Sequence, residues 1–267
     1  MLDLGRLGPL GERWMELGIA GKRAVVIGGS QGLGLSVCER FADEGVDLVI
    51  FARNEERLAN ARDALIARNP KIKVDTVSGD IADAEDIERL KQEVVDTGGM
   101  QILILNTPPP PRPMTELLLE TDDKRWENAY RWQLKGALLV LRRLAPLLIG
   151  QDNARIVAIT SASIKEPLEN HALSTVYRAG VQAALKHLSL EMAKYNVTVN
   201  SVAPAVVVTD TYHTVHNIDD RISKIPLGRA GKPEELSAAV AFFASELAGF
   251  TTGATLQVDG GCTRALV

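Results

Sequence analysis

The segment Gly28-Gly29-Ser30-Gln31-Gly32-Leu33-Gly34 stands between the apolar run Ala24–Ile27 and an amphipathic stretch that opens at Leu33. Glycines at this spacing have separate tasks. Gly28 permits a tight turn, Gly32 lets phosphates approach the backbone, and Gly34 lets a helix pack closely on the strand. Ser30, Gln31 and Leu33 complete a helix N-terminus whose free amides and partial positive charge suit an anion. The chemistry is pyrophosphate binding, and the expected ligand is a dinucleotide; a glycine-rich turn without a ligand is the plainer reading of the same residues. The second apolar run, Leu48–Phe51, leads into Ala52-Arg53-Asn54, where the adenosine ribose is expected. A carboxylate there would accept the 2′-hydroxyl of NAD. Arg53 and Asn54, with no carboxylate before Glu55, suit the 2′-phosphate of NADP instead. NADP(H) is therefore favoured and NAD(H) remains open, as does a solvated loop role for Arg53.

The elements that must hold these residues alternate. Seven short apolar runs, Ala24–Ile27, Leu48–Phe51, Val74–Val77, Ile102–Leu105, Ile156–Ile159, Val197–Val202 and Thr255–Val258, read as strands, several of them buried on both faces. Between them, Leu33–Glu44, Glu55–Arg68, Ala84–Asp96, Arg125–Leu148, Leu173–Tyr195 and Pro233–Leu247 carry apolar residues at helical spacing. The expectation is α/β: one doubly wound Rossmann domain over residues 20–267, a seven-stranded parallel sheet with helices on both faces, after a 1–19 extension. Two segments fall outside the alternation. Pro108-Pro109-Pro110-Pro111-Arg112-Pro113 predicts a stiff loop leaving the fourth strand. Thr209–Leu227 follows a strand end and is a lid candidate.

Composition removes other classes. The chain of 267 residues has 30 Lys and Arg against 34 Asp and Glu, a net charge of −4, so no basic excess exists for a phosphate backbone. Cys38 and Cys262 form neither a disulfide framework nor a metal spacing. No apolar run reaches the roughly 20 residues that span a bilayer. A cytoplasmic protein acting on a small molecule, with no nucleic-acid or membrane partner and no metal, is expected.

Further motifs in order give the chain a family resemblance over about residues 20 to 263. Besides the glycine turn there are Ser78-Gly79-Asp80-Ile81, Asn106 closing the fourth strand, Pro226-Leu227-Gly228-Arg229, Pro233-Glu234-Glu235, Thr252-Gly253 and Val258-Asp259-Gly260-Gly261. The chain resembles the short-chain dehydrogenase/reductase family. The resemblance implies that Asp80 and Ile81 contact adenine, that Thr209 holds the nicotinamide carboxamide, and that long helices and the last strand build a homodimer or homotetramer. It also implies a tetrad of Asn, Ser, Tyr and Lys, in which tyrosine exchanges a proton with the substrate oxygen. Alignment on Leu134-Lys135-Gly136, on Ile159-Thr160-Ser161 and on the helix around Arg178 places Gln133, Ser161, Ser174 and Arg178 at those positions.

Only the serine of the tetrad is kept. An aliphatic hydroxyl is far less acidic than a phenol, and an arginine stays charged where lysine can relay a proton. Ser174 cannot simply replace tyrosine, although Arg178 can still donate to ribose hydroxyls. A water held between Ser161 and Ser174 is one substitute acid; Tyr177, His171, Lys165, Tyr212, His213 and His216 are others. Thr107-Pro108 and Pro204-Ala205 also depart from the family's glycine-containing pairs and bear on the cofactor's pose. Two functions remain. One is an NADP-dependent carbonyl or alcohol oxidoreductase with a rearranged proton donor; the other is a cofactor-binding pseudo-subunit or sensor that pairs with an active relative.

Overall fold

A computed structural model describes residues 16–210 and 218–266. Seven strands form one all-parallel sheet: β1 (Arg23–Ile27), β2 (Asp47–Ala52), β3 (Val74–Ser78), β4 (Ile102–Asn106), β5 (Arg155–Ile159), β6 (Thr198–Pro204) and β7 (Thr255–Val258). Their order is β3-β2-β1-β4-β5-β6-β7. Each expected apolar run is a strand, and the doubly wound architecture is present.

Period-two alternation sends successive side chains into two separate cores. Val26, Leu48 and Ile50 enter one core with Phe41, Leu58 and Val240, beneath α1 (Gly32–Asp43), α2 (Glu55–Arg68) and α8 (Pro233–Ala244). Val25, Ile27, Val49 and Phe51 enter the other with Leu90, Val140 and Leu185, beneath α3 (Ala84–Asp96), α5 (Gly136–Leu144) and α6 (Ala172–Ala193). Both faces are therefore covered, as a parallel sheet requires. Asn54 and Asp83 cap α2 and α3 by accepting from Arg57 N and from Glu85 N and Asp86 N.

Two expectations are corrected in detail. The helix foreseen over Arg125–Leu148 is interrupted: α4 (Asp123–Ala129) passes into a π-helical stretch, Tyr130–Lys135, before α5, and a 3-10 turn over Ala145–Leu148 ends the run. Apolar spacing does not distinguish α from π winding. The lid candidate contains a short helix, α7 (Ile218–Ser223); its Tyr212, His213 and His216 lie outside the described residues. Of the 1–19 extension, the described end is packed: Ile19 is buried and Leu17 O accepts from Glu246 N at 2.9 Å.

The sheet order places the site. From β1 the chain winds one way to β3 and then crosses back to β4 beside β1. The carboxyl ends of β1 and β4 part there and leave a crevice, the place where open α/β sheets receive ligands.

Candidate functional site

A cleft of about 550 Å³ occupies that crevice. Its floor is the glycine turn. Gly28 has φ +70°, and a Cβ on it would lie 2.7 Å from Asn106 O. A Cβ on Gly34 would fall far inside contact distance of the Gly28 carbonyl. The turn and the end of β4 are thus pressed together, and Asn106 Nδ2 donates to Gly28 O at 3.4 Å. Gly28, Ser30, Gln31, Gly32 and Leu33 line the cleft, with the start of α1 directed at it. Gly34 supplies the close approach of α1 without lining the space.

At the far end of β2, Arg53 and Asn54 line the same cleft. The Arg53 guanidinium lies over the Trp132 ring, 5.1 Å from its centroid, a cation–π arrangement that fixes the charge. A second arginine, Arg57, also lines the wall, and its Nη1 donates to Gln31 Oε1 at 2.6 Å. Sequence reasoning missed Arg57, although a second arginine four residues after Arg53, in the first turn of α2, was a usable signal. Glu55 is turned out of the cleft and accepts from Ser78 Oγ at 3.0 Å. Gly79 and Ile81 line the cleft as well. Asp80 is engaged elsewhere, its carboxylate accepting from Arg131 at 3.0 Å and from Ala82 N at 2.9 Å.

The third wall carries Arg178, Thr209, Ala205 and Val207. Arg178 is 9% exposed, and its Nη1 donates to Ile159 O at 3.1 Å and Thr160 O at 3.0 Å. Burial alone pushes its pKa down to about 10, and no described carboxylate offsets that cost. Arg178 therefore stays protonated at neutral pH, a cation on the third wall of the cleft with no described carboxylate against it. Ser174, one turn earlier on α6, is 4% exposed. Ser161 caps the 3-10 turn Ala162–Ile164, its Oγ accepting from Ser163 N at 3.2 Å and Ser163 Oγ at 3.0 Å.

Gln133 is fully buried in the π-helical stretch, and neither Nε2 nor Oε1 has a partner. Buried amides are almost always paired, so this one marks a place for ordered water or ligand. A π-helical turn inside an α-helical run is frequently found at functional sites.

The alternative proton donors are mostly accounted for. Tyr177 turns toward α4: its hydroxyl donates to Trp126 O at 3.1 Å, and its ring meets Trp126 edge-on at 5.9 Å. It is a packing tyrosine whose pKa is raised by burial. Both nitrogens of His171 are engaged, Nδ1 with Glu169 O at 2.5 Å and Nε2 with Arg221 at 3.1 Å. Lys165 ends the 3-10 turn, its N–H donating to Ala162 O at 3.0 Å.

Four arginines, at 53, 57, 112 and 178, line the cleft, and among the described residues no Asp or Glu does. A protein with net charge −4 thus concentrates positive charge in one crevice. Such a lining suits a dinucleotide with phosphates at both the pyrophosphate and the 2′ position.

Residues 27–263 match the family described as enoyl-(acyl carrier protein) reductase, a branch of the short-chain dehydrogenases. The chain belongs to the short-chain dehydrogenase/reductase family. Its relatives include the NADPH-dependent reductase BacG of Bacillus subtilis (strain 168), 28% identical over 258 residues, covering 92% of this chain and 99% of BacG. L-sorbose reductase from Gluconobacter frateurii, solved with NADPH and L-sorbose, superposes with a TM-score of 0.85 at 29% identity, covering 94% of this chain and all of that one. A short-chain oxidoreductase from Pseudomonas aeruginosa PAO1, solved with NADPH bound and described as containing an atypical catalytic center, has a TM-score of 0.85 at 28% identity, with 92% and 98% covered. No described helix of this family member is long and apolar enough to cross a membrane.

Proposed function

We propose that this protein is an NADPH-dependent reductase of carbonyl compounds, working with Ser161, Ser174 and Arg178 in place of the family's serine, tyrosine and lysine. The observation that carries the reading is the cleft itself, lined by four arginines and by no described carboxylate. The NADPH of BacG and of the two solved relatives agrees with it.

Each wall has a part. The glycine turn and the N-terminus of α1 hold the pyrophosphate, and Arg53 and Arg57 hold the 2′-phosphate. Gly79 and Ile81 flank the adenine, Asn106 braces Gly28, and Thr209 holds the carboxamide. Arg178, anchored through Nη1, turns the rest of its fork to the ribose hydroxyls. The bound cofactor supplies hydride at the nicotinamide.

Arg178 also sets the field at the substrate oxygen. A fixed cation in a water-poor crevice stabilises negative charge developing on that oxygen. Ser161 donates to it, and a water held by Ser174 fills the volume that a phenol would take and delivers the proton. Without a phenol the proton transfer loses on the order of 10²–10⁴ in rate, which the oxyanion field only partly restores. Turnover is accordingly slow beside a tyrosine-bearing relative. A relative from Pseudomonas aeruginosa PAO1 that is described as containing an atypical catalytic center has been solved with NADPH bound, which supports the reading.

A second reading, a cofactor-binding pseudo-subunit paired with an active homologue, is favoured by one fact. Neither Tyr177 nor His171 presents a free acid to the cleft. A carbonyl screen with NADPH, run on the wild type and on Ser174→Tyr/Arg178→Lys, separates the two. Turnover by the wild type supports the reductase. Turnover by the double variant alone supports the pseudo-subunit.

A further inference from the structure

Arg53 follows the end of β2, lines the cleft and is exposed. An arginine so placed has many rotamers, and a phosphate that binds it must order them. Here the order exists beforehand. The guanidinium lies over the Trp132 ring, 5.1 Å from its centroid, and that ring belongs to the π-helical stretch Tyr130–Lys135, far from β2 in the chain.

The stretch is held on both sides. Toward the cleft, Arg131 Nη2 donates to Asp80 Oδ2 at 3.0 Å. Gly136, the residue after the stretch, lies against the cleft residue Ile81, where a Cβ on it would come 2.9 Å from Cγ2. Toward α6, Tyr130 meets Tyr177 with ring centroids 6.2 Å apart, and a Cβ on Gly180 would lie 3.1 Å from Leu134 Cδ1. Trp132 itself packs on the core beneath α3, α5 and α6. The ring is thus a fixed surface, and Arg53 takes its position from it.

Packing alone does not explain a tryptophan at this position. Its Nε1 is buried with no hydrogen-bond partner among the described residues. A buried N–H left unpaired costs free energy that leucine or phenylalanine would avoid. What tryptophan has beyond either is the π face that attracts a guanidinium most strongly. We propose that Trp132 determines cofactor specificity: by holding Arg53 it positions the charge that tells the 2′-phosphate of NADPH from the 2′-hydroxyl of NADH. Trp132 is a positioning residue that acts through Arg53. The proposal rests on the NADPH reading above and adds the residue on which its selectivity depends.

The test is titration of NADPH and NADH, followed by nicotinamide fluorescence, against the wild type, Trp132→Leu, Trp132→Phe, Arg53→Ala and Arg53→Ala/Trp132→Leu. Trp132→Leu should weaken NADPH binding about threefold to tenfold and leave NADH binding unchanged, since an exposed cation–π contact is a modest one. Trp132→Phe, which keeps a π face, should retain most of the NADPH affinity. In the Arg53→Ala background the change to leucine should have no further effect on either dinucleotide. A residue with only a structural role would instead weaken both dinucleotides, with or without Arg53. If Trp132→Leu does not fold by circular dichroism, Trp132→Met, which fills more of the volume without a π face, carries the same expectations. Equal losses of NADPH and NADH, no loss of NADPH, a loss in Trp132→Phe as large as in Trp132→Leu, or a loss that persists in full without Arg53 overturns the proposal. A wild type that binds NADPH no better than NADH contradicts the NADPH reading, and a preference that Trp132 does not influence contradicts this proposal alone, so the two failures are distinguishable.

Discussion

Replacing Arg53 and Arg57 with alanine, singly and together, should separate NADPH from NADH. The Arg53 guanidinium is held 5.1 Å above Trp132, and Arg57 is fixed by its 2.6 Å bond to Gln31. Both side chains are exposed, so solvent screens them and each contact with a 2′-phosphate contributes at the low end for a charge-assisted hydrogen bond, roughly 1–1.5 kcal/mol. Each single change should then weaken NADPH binding by about tenfold. Because the two arginines share one phosphate, their effects are not additive, and the double variant should lose between roughly tenfold and a hundredfold. NADH, lacking the phosphate, should bind all four proteins alike. Fluorescence titration of each dinucleotide measures this directly. Raising salt from 0.1 to 1 M shortens the screening length from about 10 Å to about 3 Å and should shrink the NADPH preference of the wild type. The reasoning is refuted if the double variant loses NADPH and NADH equally, or if it loses neither.

Other outcomes follow from particular contacts. Gly34→Ala places a methyl group against the Gly28 carbonyl, so it should abolish NADPH binding and destabilise the fold by about 1–3 kcal/mol in thermal denaturation; normal binding would contradict the close packing of α1. Glu120→Gln removes the charge that fixes Arg125, so the 107–122 loop should exchange its amides and be cleaved by protease faster than in the wild type, with the sheet's protection unchanged. His171 has its pKa lowered, first by burial and then by the Arg221 charge, so the unfolded chain binds its proton more readily than the folded one. Stability should be full above the ordinary histidine value of about 6.5 and fall as pH drops below it. His171→Gln should flatten that slope in pH-dependent denaturation, and an unchanged slope would exclude the His171–Arg221 contact as its source.

The fold was largely legible because burial on both faces leaves continuous Val, Ile and Leu runs, which few other arrangements produce. The glycine turn was legible for a similar reason: Gly28 and Gly34 stand where a Cβ would strike Asn106 and Gly28. The π-helical stretch was not, since Tyr130–Lys135 differs from its flanks in hydrogen bonding rather than in apolar spacing. Nor was the brace of Arg125 and Glu120 on the proline loop, which depends on a fold-back between residues whose types look like an ordinary charged surface. The proline run itself did announce a stiff loop. Tyr177 was legible as a packing residue only through helical register, and its contact with Trp126 supplies the reason.

The central claim is that hydride leaves this cleft for a carbonyl carbon although no tyrosine serves as acid. The direct measurement is reaction of the protein with NADPH deuterated at the transferring position of the nicotinamide, across a carbonyl panel that includes keto acids, followed by mass analysis of the alcohols. The account predicts one deuterium on the carbinol carbon of a product, formed slowly by the wild type and abolished by Arg178→Ala. Saturating NADPH binding with no deuterated alcohol from any carbonyl, while Ser174→Tyr/Arg178→Lys produces one, would contradict it.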